Sequence, residues 1–278
     1  MLSNPYAKVL LAIFIMGSSG VFIKSINLPP GTLSFFRLSV PASFLYGYFL
    51  IKRTNVFRYQ SRAMLLGSVL NAIRIFFFVF GFTYTSIANA VIILNAWPVF
   101  TNILSILVLG EKVPRKNILL LALPLIGISL LFINQPFSLE NQDFLGMCAM
   151  LLSAFIYAFT IIIFKRESPK YSGYETTFFQ NLAGAFIFLP FLFIGEAAIS
   201  WTQAGLAVLY GFLIGIVAFV LYFSALKQIK ASTISFLSYL EVVVATSFGI
   251  LIFEEQLSWN ILAGGSLIIV STILLKKQ

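Results

Sequence analysis

The chain has 278 residues, of which 60% are hydrophobic and only 10% are charged. Soluble domains carry about a quarter charged residues, so this composition excludes a soluble enzyme, a disordered chain and a collagen-like chain, and it favours an integral membrane protein. The net charge of +9 would suggest a nucleic-acid partner in a soluble protein, but here its meaning depends on where the basic residues lie.

Ten apolar stretches have the length of roughly 20 residues that a membrane-crossing helix needs. No cleavage site follows the first stretch, so it is predicted to be a membrane helix and not a signal peptide. Turn residues or charges separate the stretches, except at Thr85-Ser86, where a tight turn is required because 63–109 is too long for one helix. The predicted helices lie near residues 5–24, 33–51, 63–84, 86–109, 117–134, 143–165, 174–195, 204–226, 231–253 and 258–275.

The basic residues alternate between the two sides of this arrangement. With a cytoplasmic N-terminus, 15 of the 18 Lys and Arg residues face the cytoplasm, while Lys24 and Arg37 lie at the outer side and Arg74 lies within a helix. This is a strong positive-inside pattern. It predicts a multi-pass protein of the bacterial inner membrane with both termini in the cytoplasm, and it makes the net charge an orientation signal with no nucleic-acid partner implied.

The two halves of the chain repeat. A shift of 143 residues lays Glu111 on Glu254 and Asn117 on Asn260, within about nine identities over roughly 45 positions. Because each half would contain five helices, the second copy must have the opposite orientation. The predicted fold is therefore an all-α membrane protein of ten transmembrane helices in two inverted five-helix repeats, residues 1–137 and 138–278. Inverted repeats are typical of secondary transporters, whose binding site lies near the bilayer midplane.

Several short and individually unspecific motifs of this sequence are similar to those of one protein family. They are Met16-Gly17 to Lys24, Pro30-Gly31 with Phe36-Arg37, Tyr84-Thr85-Ser86 through Trp97-Pro98-Val99, Gly110-Glu111, and, in the second half, Ala231 onward, Glu254 and Gly264-Gly265. Over the whole chain, the sequence resembles the EamA-type ten-helix carriers of the drug/metabolite transporter superfamily. The resemblance implies a transporter of small metabolites with a central cavity lined by helices 1, 3, 4, 6, 8 and 9. The family usually has proline in both fourth helices of its repeats, but here Pro98 is matched by Glu241.

Two charged residues are predicted to lie at mid-depth, Arg74 in helix 3 and Glu241 in helix 9. A charge at the bilayer centre costs roughly 3 kcal/mol, so it is retained where it faces the bundle interior or a cavity. One interpretation is a buried ion pair between the two. The other is a water-filled cavity in which the guanidinium holds a carboxylate or phosphate and the carboxylate holds a cation. Glu241 is also the candidate proton carrier if protons drive transport, although Arg74 would oppose its protonation.

Weaker candidates surround this pair. Asn71 shares a helix face with Arg74, and Trp97 could stack on a planar or cationic substrate or simply pack. Ser and Thr side chains are alternatively hydrogen-bond partners between helices. The full set of predicted substrate-binding residues is Arg74, Glu241, Asn71, Asn95, Trp97, Asn102, Tyr157, Ser238 and Tyr239, with Thr160, Gln180, Asn181 and Tyr222 as further candidates.

Other residues are given structural roles. Gly17, Gly20, Gly211 and Gly215 are interpreted as positions of close helix packing or hinges. Lys24 is interpreted as an interfacial side chain whose amine reaches the headgroups. Most of the 31 phenylalanines are expected to face lipid.

The chemistry that the chain lacks narrows its function. It contains no histidine, a single cysteine, Cys148, and no phosphate-binding loop, so neither an embedded enzyme nor an ATP-driven pump is favoured. We expect no cofactor, no metal and no partner other than the lipid bilayer and a small-molecule metabolite, in a monomer or homodimer. The predicted function is alternating-access transport of an amino acid or amino-acid-like compound, with proton coupling or exchange both open. The alternative substrate is a cofactor or vitamin resembling S-adenosylmethionine or riboflavin; a channel is less favoured.

Overall fold

The computed structural model describes residues 4–59, 62–97, 99–101, 104, 122–132, 138–167, 169–194, 199–229 and 231–276. Within these ranges every regular element is helical. The helices are α1 (Pro5–Gly17), α2 (Ser19–Ile26), α3 (Pro30–Ile51), α4 (Arg62–Tyr84), α5 (Ile87–Leu94), α6 (Ala122–Phe132), α7 (Gln142–Glu167), α8 (Gly173–Ile187), α9 (Trp201–Phe212), α10 (Phe219–Leu226), α11 (Ala231–Phe253) and α12 (Trp259–Lys276).

Five helical stretches of the described chain are long and apolar enough to cross a membrane. They are Pro5–Ile26, Pro30–Ile51, Arg62–Tyr84, Gln142–Glu167 and Trp201–Leu226. Each overlaps one predicted helix, so the chain is a multi-pass membrane protein. The helices α5 and α6 cover parts of the predicted helices 86–109 and 117–134, whose other residues are mostly outside the described ranges.

Three of the predicted helices contain local breaks. Ser18 separates α1 from α2, and its hydroxyl donates to the carbonyl of Ile15 at 2.6 Å. The helix α8 ends at Ile187 and is followed by a short 3₁₀ turn, Leu189–Leu192. A π-helical segment, Leu213–Ala218, joins α9 to α10. Such π segments are rare and occur often at functional sites.

Side-chain caps explain where several helices begin. The predicted tight turn at Thr85-Ser86 is confirmed, because the Ser86 hydroxyl accepts the Asn89 amide at 3.1 Å and starts α5. Ser172 and Glu175 form a capping box at α8, and Ser200 and Gln203 form another at α9.

Glycines let the helices approach closely, at Gly17 and Gly211 as the sequence predicts. A Cβ built at Gly81 of α4 would lie 3.2 Å from the Gly146 carbonyl oxygen of α7, and one at Gly17 would lie 2.7 Å from Val244 Cγ1. One at Gly211 would lie 2.8 Å from the carbonyl oxygen of Phe36. The helix pairs α4 with α7, α3 with α8 and α3 with α9 therefore join the first and second halves of the chain along much of their length.

The expectation for phenylalanine is only partly correct. Phe178 is 2% exposed and makes ring contacts with Phe49, Phe57 and Phe179. Others, such as Phe193, are exposed. Aromatic edge-to-face contacts stabilise the interior because the ring edge and the ring face carry opposite partial charges. Phenylalanine in this chain thus serves both the helix contacts and the outer surface.

Polar contacts connect the two halves of the chain at one end of the bundle. The Lys24 ammonium donates to Glu255 Oε1 at 3.0 Å, and the amides of Ile87 and Ala88 donate to the same carboxylate at 2.8 and 3.2 Å. Glu255 therefore caps α5 and pairs with α2, which corrects the interpretation of Lys24 as a headgroup-facing side chain. These residues are called the Glu255 latch below.

The opposite end has its own polar contacts. Arg58 Nη2 lies 3.0 Å from Glu175 Oε1, and the Lys165 ammonium donates to the Leu226 carbonyl at 2.9 Å. Glu175 Oε2 also accepts the Ser172 amide at 2.7 Å. The contacts of Glu175 with Arg58 and Ser172 are called the Glu175 contacts below. In the described structure, both ends of the bundle are thus joined by charged or polar side chains.

Candidate functional site

An internal cavity lies between the helices of the two halves. Its volume is about 40 Å³, which is room for a few waters and far below the several hundred Å³ of a ligand site. The cavity must therefore widen to hold a metabolite. Its lining residues are Met16, Ser19, Arg37, Arg74, Ile75, Phe78, Leu94, Trp97, Tyr157, Ile214, Phe219, Tyr222, Ser238 and Glu241.

Arg74 is held in the cavity wall by an amide relay between α4 and α8. Its Nε donates to Asn71 Oδ1 at 3.1 Å, and Asn71 Nδ2 donates to the Gln180 carbonyl at 2.7 Å. Asn71 and Arg74 are one helical turn apart, so both face the same neighbour, as their spacing predicts. Nε is engaged, and in the described structure no hydrogen bond from Nη1 or Nη2 is formed, so these two nitrogens remain for a ligand.

Aromatic rings fix the plane of the Arg74 guanidinium. Its central carbon lies 4.3 Å from the Tyr157 ring centroid and 5.6 Å from the Phe78 ring centroid. Trp97 makes an edge contact with Tyr157 at a centroid distance of 5.3 Å. Ring faces attract the cation, and the oriented guanidinium can present two parallel N–H groups to a carboxylate or phosphate.

Glu241 and Ser238 line the cavity from α11. They are three residues apart and so lie on one face of that helix. No ion pair within 4.0 Å joins Glu241 to Arg74 among the described residues; the pairs that the structure contains there are Lys24–Glu255, Arg58–Glu175 and Lys170–Glu167. The two opposite charges thus share a cavity without direct contact.

The other predicted residues have varied surroundings. Asn95 lies outside the cavity lining, and its amide donates to the Val91 carbonyl at 2.9 Å. Thr160 donates to the Tyr157 carbonyl at 2.8 Å and Asn181 to the Thr177 carbonyl at 2.6 Å, as structural hydrogen bonds do. Asn102, like Pro98, lies outside the described residues, and so does the side chain of Tyr239.

Arg37 corrects the charge assignment made from the sequence. Expected at the outer side, it is 2% exposed and lines the cavity from α3. The reason lies in the helix boundary. The helix α3 begins at Pro30, three residues before the predicted start, because proline favours the first helical position. Arg37 is therefore roughly 10 Å from the start of its helix, at a rise of about 1.5 Å per residue.

The wall chemistry suits a charged organic molecule. Cations project from α3 and α4, a carboxylate projects from α11, and aromatic rings lie between them. No group of three or more acidic or cysteine side chains that could hold a metal occurs in the described chain. The arrangement can bind, orient and release a polar molecule, as a carrier with a central site requires.

The fold and the cavity define a membrane transporter, and comparisons with known proteins agree. The profile of the EamA-like transporter family matches residues 5–133 and again 144–276. The chain therefore belongs to the EamA-like transporter family, within the drug/metabolite transporter superfamily.

Relatives that this chain matches over nearly their full length are named transporters. An uncharacterized transporter of Archaeoglobus fulgidus is 26% identical over 96% of this chain and 94% of its own. The pseudopaline exporter CntI of Pseudomonas aeruginosa is 25% identical over 100% of this chain and 97% of its own. A crystal structure with a TM-score of 0.68 and 17% identity covers 99% of this chain and 96% of that chain, which supports the fold alone.

Proposed function

We propose that this protein is a secondary carrier that moves a small zwitterionic metabolite, an amino acid or amino-acid-like compound, across the bacterial inner membrane by alternating access. The proposed architecture is ten helices in two inverted repeats, residues 1–137 and 138–278, with both termini in the cytoplasm. The two matches to one family profile and the positive-inside charge pattern support it. On this orientation the Glu255 latch lies at the outer side and the Glu175 contacts at the cytoplasmic side.

The observation that carries the proposal is the presence of Arg74 and Glu241 in one buried cavity. They belong to different halves of the chain, and no direct ion pair joins them in the described structure. An α-carboxylate on Arg74 and an ammonium on Glu241 would neutralise two charges that are costly in the membrane. Substrate binding would also connect the two halves, whose relative motion is the basis of alternating access.

A second candidate substrate is a larger cofactor or vitamin with an aromatic ring. Trp97 is 4% exposed and lines the cavity beside Tyr157, so a flat ring system would find stacking partners there. A cationic sulfonium would find Glu241. We favour the amino-acid-like substrate because the charged groups are the costlier ones to leave unpaired.

The contacts at both ends support a carrier over a channel. A channel requires a continuous path, whereas here a cavity of about 40 Å³ lies between the Glu255 latch and the Glu175 contacts. Opening either set alone would admit substrate from one side. Either proton movement or substrate exchange would supply the energy, and an enzymatic role is not proposed.

Thermal-shift measurements on the purified protein test the proposal. A panel of neutral, acidic and basic amino acids, S-adenosylmethionine and riboflavin is screened, and the compounds that shift the midpoint are tested for liposome uptake. We expect an amino acid to bind, and Arg74→Ala to weaken that binding at least tenfold, since a charged hydrogen bond contributes about 1.5–3 kcal/mol.

The matched control is Arg62→Ala, which removes an exposed cation from the same helix and should leave binding unchanged. A panel in which only riboflavin or S-adenosylmethionine binds would favour the second substrate class. Equal binding by the wild type and Arg74→Ala would remove Arg74 from the site.

A further inference from the structure

Arg37 is a buried cation that has no anionic partner among the described residues. It is 2% exposed, and its Nε and Nη1 have no hydrogen-bond acceptor in the described structure. None of the ion pairs formed by the described residues includes it. A buried charge without a counter-ion is costly, so an anionic ligand in the cavity would stabilise it.

Two aromatic rings near the guanidinium compensate only part of that cost. Its central carbon lies 5.6 Å from the Tyr210 ring centroid and 5.3 Å from the Phe219 ring centroid. Ring faces attract a cation but do not accept the in-plane N–H groups. The buried Tyr210 hydroxyl lies near the guanidinium, but a neutral hydroxyl does not neutralise its charge. Arg37 therefore offers donors to an incoming anion.

The backbone around Arg37 is shaped to hold it. A Cβ built at Gly215, in the π-helical segment, would lie 2.9 Å from Arg37 Nη1 and 2.8 Å from Pro41 Cγ. Only a residue without a side chain leaves this space. Pro41 lies four residues after Arg37 in α3 and has no amide hydrogen, so the Arg37 carbonyl lacks its usual helical donor. A glycine, a proline and a π segment thus meet at one cation.

The charges of the cavity wall do not balance. In the described lining, Arg37 and Arg74 stand against a single carboxylate, Glu241. A substrate with one carboxylate and one ammonium would leave one guanidinium without an anion. A substrate with two carboxylates and one ammonium would satisfy all three groups.

Building on the proposed function, we propose that Arg37 is a second anion-binding residue and that the transported compound is an amino-acid-like molecule with an additional carboxylate. One carboxylate binds Arg74, the other binds Arg37, and the ammonium binds Glu241. The cavity widens to admit it, since its present volume of about 40 Å³ is too small for such a molecule.

Matched ligand pairs test this inference. Glutamate and glutamine, and aspartate and asparagine, differ within each pair by one carboxylate in place of an amide. Binding of all four is measured by thermal shift and by competition for uptake into liposomes. The wild type should prefer the acidic member of a pair by tenfold or more, and Arg37→Gln should abolish the preference while retaining binding of the neutral member. Lys52→Met, which removes an exposed cation just after α3, should retain the preference.

Stability of the free protein gives a second readout that does not need a ligand. Arg37→Met removes an unpaired buried charge and should raise the unfolding midpoint without ligand, while it abolishes the acidic preference. A lowered midpoint with an unchanged preference would overturn the inference. If neutral amino acids bind as well as acidic ones, and Arg37→Gln changes neither, the inference fails while the proposed carrier remains. If no amino acid binds the wild type, both fail.

Discussion

The two matched segments contribute opposite charges to the same cavity. The segment 5–133 supplies Arg37 and Arg74, and the segment 144–276 supplies Glu241. The repeat itself cannot explain this difference, because Glu241 occupies the position that corresponds to Pro98 after the 143-residue shift. The two related segments therefore differ in the sign of the charge with which they line the cavity.

This division has a consequence for transport. A ligand with charges of both signs contacts both segments at once, so its binding energy depends on their relative position. A neutral ligand or an ion of one sign would contact mainly one segment. A carrier of zwitterions can therefore use substrate binding to favour the rearrangement that exposes the cavity to the other side.

The largest expected effect comes from removing the negative charge that the second segment places in the cavity. Glu241→Gln keeps the shape of the side chain and removes its charge, so substrate uptake should fall more than tenfold. If Glu241 also carries the proton, the remaining uptake should not respond to an imposed pH gradient. Liposome uptake with and without that gradient measures both effects. Ser247→Ala, at an exposed position of α11, is the control and should retain gradient dependence. Gradient dependence retained by Glu241→Gln would exclude its proton role.

A smaller effect is expected from displacing Arg37 without altering its charge. Gly215→Ala introduces a methyl group 2.9 Å from Arg37 Nη1, so either the guanidinium or α3 must shift. Overpacking of this kind costs about 1–3 kcal/mol in stability, and binding of an acidic substrate should weaken severalfold. Thermal unfolding and binding titrations measure the two.

The matched control is Gly205→Ala in α9, where a Cβ would have no atom within 4 Å. In an open helical position alanine is favoured over glycine by about 1 kcal/mol or less, so this control should be neutral or slightly stabilising. Equal effects of the two substitutions would show that Gly215 has no special relation to Arg37.

The smallest effect is expected at the Glu255 latch, which lies away from the cavity charges. Glu255→Gln retains one acceptor for the α5 amides but loses the ion pair with Lys24, for a change of about 1 kcal/mol or less. A change of that size alters the open population up to severalfold. The reporter is a cysteine in the cavity lining, Ser19→Cys, in a Cys148→Ser background. Adding Glu255→Gln to this protein should make the reporter react faster with a membrane-impermeant thiol reagent. Glu254→Gln is the control, because that side chain is exposed. Faster labelling with Glu254→Gln but not with Glu255→Gln would show that Glu255 does not hold this end closed.

Much of the site was accessible to sequence reasoning because charge is expensive in a membrane. Arg74 and Glu241 stand out as charges in the middle of apolar stretches, and the structure brings both to one cavity. Asn71 follows from its spacing to Arg74. The turn at Thr85-Ser86 follows from the thickness of the bilayer alone. In each case one dominant energy term acts on a local pattern.

Arg37 and Lys24 were misassigned because their environments depend on the precise end of a helix or on a distant segment. A shift of three residues at the start of α3 moves Arg37 nearly one turn deeper, and the signal for that shift was Pro30. Lys24 pairs with Glu255, 231 residues away. Similarly, the π-helical segment, whose Gly215 lies against Pro41 and Arg37, has no clear signature of its own in the apolar sequence.

The carboxylate of Glu255 serves three donors at once, the Lys24 ammonium and the first two amides of α5. Moving the segment that carries Glu255 away from α2 and α5 would therefore leave a lysine and a helix terminus without their shared acceptor at the same time. Each loss makes the next easier, since partial separation lets water reach every donor. We expect this end of the bundle to open cooperatively, with few intermediate states, so that a protein open at this end and a closed one would be two distinct populations in single-molecule distance measurements.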